Sequence, residues 1–220
     1  MAARSRKDRA TVIQAPRFAK DKPLRPETLT ELLDELFCET AAIEQSLLSG
    51  SEAADITFEC STMRRVSLDS SKLRNLRMAD LQIDGSNFAN AEWRSATLSR
   101  VILRDCRCTG LAFDKGSLRD VVFKSSKSDY IRFGQTRLKN VRFEDCALNE
   151  SDFQDAELDN VWFVKCDLTN ADLSAIKLES VDLTGSLIDG IKIRPERLKE
   201  LTMDSWQAVT LIKSLGAKVV

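Results

Sequence analysis

Between Cys146 and Ser186 a leucine or phenylalanine stands at every fifth residue: 148, 153, 158, 163, 168, 173, 178 and 183. An α-helix repeats every 3.6 residues and a strand every two, so neither brings all of these side chains to one face. The phase extends both ways. From Phe58 to Ile193, every position whose number ends in 3 or 8 is apolar except Ser128, and two residues earlier stands a small or aliphatic residue such as Ala91, Ala96, Val101 or Cys106. No insertion breaks this register from Ile56 to Pro195, a run of 28 pentapeptides.

A second period lies on the first. Val101, Val121, Val141, Val161 and Val181 recur once in every four pentapeptides, as do Cys106, Ser126, Cys146, Cys166 and Ser186. Four pentapeptides therefore make one coil, and equivalent positions stack from coil to coil. With two inward positions per pentapeptide and four sides per turn, the chain bends by a right angle at each pentapeptide. The pattern predicts an all-β solenoid of square section with seven coils over 56–195, about 34 Å long at a strand spacing of about 4.8 Å.

The segments AELDN, ADLSA and VDLTG carry the pattern A(D/N)LXX, which resembles the pentapeptide-repeat family. The resemblance covers residues 56–195 and implies a right-handed quadrilateral β-helix. Leu and Phe at the centres fill the shaft, and the preceding inward site must be small enough for the corner beside them. Cys106, Cys146 and Cys166 fall on that small site and read as core residues; Cys60 points outward.

A stack of coils has open ends that need capping. Residues 28–48 have apolar side chains at 29, 32, 33, 36, 37, 43 and 47, Thr28 and Glu31 spaced as a capping box, and Gly50 beyond, which predicts a helix. After Pro195, two further helical segments are expected, the second between Asp204 as N-cap and Gly216 as stop. The expected organisation is a flexible basic tail (1–25), an N-terminal capping helix (26–55), the repeat shaft (56–195) and a C-terminal helical cap (196–220).

Composition removes several kinds of chemistry. There is no histidine, none of the six cysteines forms a CxxC pair, and no GxGxxG or Walker-type loop occurs, so neither a metal, nor a cofactor, nor a catalytic nucleophile with its usual base is expected. A filled shaft also lacks the concavity of an active site. No apolar run nears the length of a membrane helix and no signal-peptide core begins the chain. A cytoplasmic, non-catalytic protein without membrane contact is the expectation.

Function then falls to the outer surface. The net charge of −1 hides two halves: 17 Lys/Arg against 9 Asp/Glu over 56–142, and 3 against 12 over 143–193. The acidic half places Glu144, Asp145, Glu150, Asp152, Asp155, Glu157, Asp159, Asp167 and Asp172 on the surface, where Asp before a centre is also part of the repeat. The leading expectation is a rigid protein-binding or scaffold module. The resemblance implies an alternative, since some members of the family dimerise through their C-terminal ends and present an acidic, DNA-like rod to DNA gyrase, protecting it from quinolones or peptide toxins. This chain differs from them in its basic half and its uninterrupted repeats. A third reading, nucleic-acid binding by Arg64, Arg65, Arg74, Arg77, Arg94, Arg100, Arg104 and Arg107, ranks lower because these side chains are spread over four sides and no aromatic platform accompanies them.

Two surfaces stand out as candidates. Leu201, Trp206, Val209, Ile212 and Leu215 offer more apolar surface than an end-cap requires, which points to a homodimer through the C-terminal cap. Ile102, Val122, Arg142 and Trp162, one coil apart and just before the centres, should stack into an outward ladder with Val164 beside it. That strip is the expected partner-binding face, including a partner from the chain's own N-terminal segment.

Overall fold

The computed structural model describes residues 12–19, 22–175, 177–214, 216 and 218. From Ala53 to Ile193, every described residue whose number ends in 1, 3, 6 or 8 is buried. The five-residue phase therefore sets the inside of a quadrilateral β-solenoid. One twelve-stranded parallel sheet wraps two adjoining sides, and a five-stranded parallel sheet forms a third. On the first two sides, eight-residue strands such as Thr97–Arg104, Ser117–Lys124 and Arg137–Glu144 run through the corner without ending. The fourth side is held by single bridges from Leu47↔Ser67 to Asp167↔Leu187.

Right angles need special backbone, and the chain supplies it at residues numbered in 0 and 5. Asp55, Asn75, Asp120 and Asn140 have φ of 58°, 55°, 56° and 54°. This left-handed conformation is tolerated best by Asn, Asp and Gly. Gly110 shows the added demand of stacking: a Cβ there would lie 2.5 Å from Asn90 Oδ1 of the preceding coil.

The shaft is filled by two aromatic columns. Trp93, Phe113, Phe133 and Phe153 stack on one side with successive ring centroids 5.5, 5.3 and 4.9 Å apart. Phe123, Phe143 and Phe163 stack opposite at 4.9 and 5.1 Å, and the columns meet edge to face, as in Phe153 and Phe163 at 5.7 Å. These geometries are the favoured ones for rings, worth about 0.5–1.5 kcal/mol per pair beyond burial. On the side between the columns stand Cys108, Ser128 and Leu148, all fully buried, with Ser128 between Phe123 and Phe133. Burial pushes the Cys106 thiol up to about 12 and holds Cys108 well above its ordinary value, so these cysteines behave as small inert core residues.

The solenoid is longer than seven coils. The register passes from Pro26 through Ala42, Thr62, Gln82, Ile102, Val122, Arg142, Trp162 and Asp182 to Thr202, nine steps along one column. Nine steps of about 4.8 Å make a shaft of about 43 Å. The first step, from Pro26 to Ala42, is shorter in sequence than the eight that follow, so the opening coil is cut short at one corner.

The capping helix expected over 28–48 is therefore not formed. Strands β1 (Arg25–Glu27), β2 (Phe37–Glu39) and β3 (Ala41–Glu44) occupy this region, and Glu35, Thr40 and Gln45 have φ of 62°, 58° and 52°, which a helix excludes. Cys38, Ala41, Ile43, Ser46 and Leu48 are buried in the five-residue phase, while Leu33, Phe37 and Leu47 point outward, 59, 61 and 79% exposed. The outward apolar residues imitate a helical stripe. At the other end a 3-10 turn (Pro195–Glu200) leads to helix α1 (Ser205–Ser214), and Gly216 at φ 91° follows it. No helix among the described residues is long and apolar enough to cross a membrane.

Candidate interaction face

The outward ladder forms in register: Gln82 pairs with Ile102, Ile102 with Val122, Val122 with Arg142 and Arg142 with Trp162. Adjacent side chains sit on neighbouring coils, and each is half-buried. Val164 pairs with Glu144 two residues further along the strands. Arg142 Nε lies 3.4 Å from Glu144, whose other oxygen accepts a 2.7 Å bond from Lys124 Nζ. The Lys124 bond holds the Glu144 carboxyl below its ordinary range.

Beside the ladder runs the chain's own N-terminal segment. The tail expected over 1–25 is not a free appendage throughout: residues 12–19 run along the shaft toward its N-terminal end. Val12, Ile13, Gln14 and Ala15 face Ile102, Val122, Arg142 and Trp162 across a cleft of about 370 Å³ that also includes Glu144. Further along, Phe18 and Ala19 meet Thr40, Cys60 and Thr62. Ile13 and Pro16 are half-buried, whereas Gln14, Ala15 and Arg17 are exposed.

Two carboxylates at the adjoining corner tie this segment down. The Gln14 N–H donates to Asp120 Oδ1 at 3.3 Å and the Arg17 N–H to Asp80 Oδ1 at 2.8 Å. Arg17 Nη2 also donates to Gln14 Oε1. Both aspartates are 8% exposed or less. Asp80 is further gripped by Arg100, whose Nε and Nη2 donate to its two oxygens at 2.6 and 2.7 Å. Burial opposes ionisation of Asp80, but the Arg100 guanidinium and the Arg17 N–H outweigh it and hold the carboxyl below its ordinary value. Asp120 continues the corner ladder by accepting from Asn140 Nδ2 at 3.1 Å, and Asn140 Oδ1 accepts from Asn160 at 3.4 Å.

The acidic candidates are not gathered on one face. Glu144, Glu157 and Asp159 pair with Lys124, Arg137 and Lys139 of the preceding coil at 2.7, 3.1 and 2.8 Å. Asp152, Asp167 and Asp172 accept N–H bonds from Gln154, Thr169 and Ser174 two residues on. Glu150 lies 3.4 Å from the Tyr130 hydroxyl, and Asp145 and Asp155 stand at corners with φ of 52° and 58°.

In the C-terminal cap, Trp206, Val209 and Ile212 share the outer face of α1, 44, 37 and 45% exposed. Leu201 is separate from them: it pairs with Val181 and packs on the core. Leu215 lies outside the described residues. The buried Gln207 closes the end of the shaft, donating from Nε2 to Leu183 O at 2.6 Å and Ser186 O at 2.7 Å while Oε1 accepts from Asp204 N at 2.7 Å. The Asp204 carboxylate accepts from Gly185 N of the last coil.

A shaft of stacked square coils with a five-residue phase is the architecture of pentapeptide repeats, and the profile described as "pentapeptide repeat region" matches residues 96–171. Residues 96–171 are thus a pentapeptide-repeat region, and the same five-residue burial register continues beyond them in both directions. Among solved structures it is similar to full-length QnrB1, a plasmid-mediated fluoroquinolone resistance protein, at 16% identity over 88% of this chain and 100% of that one, with a TM-score of 0.47. It is also similar to HetL, a pentapeptide-repeat protein involved in heterocyst differentiation regulation from the cyanobacterium Nostoc, at 15% identity over 81% of this chain and 91% of that one, TM-score 0.47. No curated protein sequence matches the chain.

Proposed function

We propose that the chain is a rigid, non-catalytic module that binds a partner protein along the face bearing Ile102, Val122, Arg142 and Trp162. The observation that carries this reading is an apolar ladder on an otherwise charged exterior, with a cleft of about 370 Å³ left open beside it. Aromatic and arginine side chains in desolvated surroundings are the usual anchors of interfaces. The stacked coils hold them at fixed spacing, so binding there costs little conformational entropy. The double variant Trp162→Ala/Val122→Ser is expected to keep the wild-type circular dichroism and to lose cross-linking to the partner that the wild-type protein captures. Capture that survives in this variant removes the face from consideration.

A homodimer through α1 is a second proposal, supported by Trp206, Val209 and Ile212 on one outer face. A monomer mass by light scattering at tens of micromolar would exclude it. The DNA-mimic alternative requires a continuous acidic surface, and the pairing of Glu144, Glu157 and Asp159 with lysine and arginine favours a structural part for these residues. A gyrase supercoiling assay with a quinolone tests that alternative: protection by the wild-type chain would restore it.

A further inference from the structure

The segment over the face is held in a way that describes a ligand. Its two anchoring N–H groups belong to Gln14 and Arg17, three residues apart, and their acceptors Asp120 and Asp80 are two coils apart. Two coils rise about 9.6 Å at about 4.8 Å each, and three residues of a polyproline-type extended chain rise about 9.3 Å. The pitch of the shaft therefore matches the period of an extended peptide. The half-buried residues of the segment, Ile13 and Pro16, repeat with the same spacing of three.

Backbone N–H groups read by two fixed carboxylates, an aliphatic residue lining the cleft beside an apolar ladder and a half-buried proline three positions on amount to recognition with few specific side-chain contacts. Among the described residues, segment and track are joined by only those two hydrogen bonds. Segments with few buried contacts open first. We propose that the corner track of Asp80 and Asp120 with the adjoining Ile102 to Trp162 ladder is a binding site for an extended peptide of a partner, carrying an aliphatic residue and a proline three positions on. Residues Val12–Ala19 occupy the site in cis and compete with that peptide. The inference rests on the reading of this face as the docking surface and adds the chemistry of the occupant.

The test uses the full chain and a fluorescein-labelled peptide of sequence Val-Ile-Gln-Ala-Pro-Arg-Phe-Ala, followed by anisotropy. The variant Ile13→Asp/Pro16→Ser, which loosens the segment in cis, is expected to bind the peptide at least tenfold tighter than wild type. Adding Asp120→Ala is expected to return binding to the wild-type level, and a scrambled peptide is expected not to bind. Circular dichroism of all three proteins checks that the shaft is intact. Equal affinity of wild type and loosened variant, or equal binding of the scrambled peptide, overturns the proposal. So does a wild-type dimer that dissociates on loosening, since the segment would then bind in trans. Peptide binding together with partner capture indifferent to Trp162→Ala/Val122→Ser would sink the functional reading and leave the track standing. Loss of capture without peptide binding would do the reverse.

Discussion

The two ends of the shaft meet the same problem and solve it differently. At the C-terminal end a helix lies across the last coil, and the Gln207 side chain satisfies the carbonyls of Leu183 and Ser186. At the N-terminal end the coils themselves begin early, with β1 exposed along its whole length and Leu33 and Phe37 turned to the outside. An amphipathic stretch is therefore not enough to make a cap. A helix closes an end where its polar groups can pair with the last rung, and a strand adds to the stack where its small residues fit the inward sites.

Disrupting the shaft between the ends should erase the comparison altogether. Phe143→Lys or Phe163→Lys places an unpartnered charge in a dry aromatic column. Each is expected to cost more than about 4 kcal/mol and to lower the thermal midpoint of the whole chain; unchanged melting would contradict the inward assignment.

Each end can then be opened alone. Leu32, 7% exposed, belongs to the shortened first coil and joins the core, and Leu32→Ala is expected to cost about 2–3 kcal/mol. Hydrogen exchange should show lost protection over 37–44 and none near α1. Gln207→Ala leaves two carbonyls and the Asp204 N–H without their partner, a cost of about 1–3 kcal/mol. Exchange should rise over 181–188 while the first coils stay protected. Equal effects at both ends in either variant would mean that the shaft unfolds as one unit and that the ends do not act separately.

A smaller effect is expected from acid. The Asp80 carboxyl, ordinarily near 3.8, is depressed by Arg100 and Arg17. Its contribution is full above that ordinary value and is lost as pH falls through the lower folded value. Proteolysis within residues 12–19 should therefore accelerate at low pH. Arg100→Gln removes the guanidinium, raises the carboxyl and should shift the onset to higher pH; an unmoved onset would exclude Asp80 as the anchor. Smallest of all, Trp206→Ser/Ile212→Ser is expected to change monomer stability by no more than about 0.5 kcal/mol, while abolishing any dimer mass.

Much of this was legible before the structure. The burial of every described residue numbered in 1, 3, 6 or 8 from Ala53 to Ile193 follows from the five-residue phase, and the ladder Ile102, Val122, Arg142, Trp162 from the longer, coil-length one. The two additional turns were masked because Leu33, Phe37 and Leu47, all turned outward, supplied a false helical stripe. The corners fall at positions numbered in 0 and 5, where Asp, Asn, Ser and Gly are common but Cys60, Arg65, Arg100, Lys115, Tyr130 and Lys165 adopt the same positive φ, so the corner is a backbone angle that composition does not express. The docked segment left a fainter signal, Val12, Ile13 and Pro16 amid basic residues.

What the sequence determined alone is the interior, because side-chain burial in a stack repeats with the chain's own period and every coil tests the same pattern again. The tertiary structure decided everything that happens once. The pairing of Gln207 with Leu183 and Ser186, the capture of Gln14 and Arg17 by Asp120 and Asp80, and the end at which a helix forms all depend on contacts between residues 21 to 106 positions apart. Such contacts have no period, so only the folded chain brings their partners together.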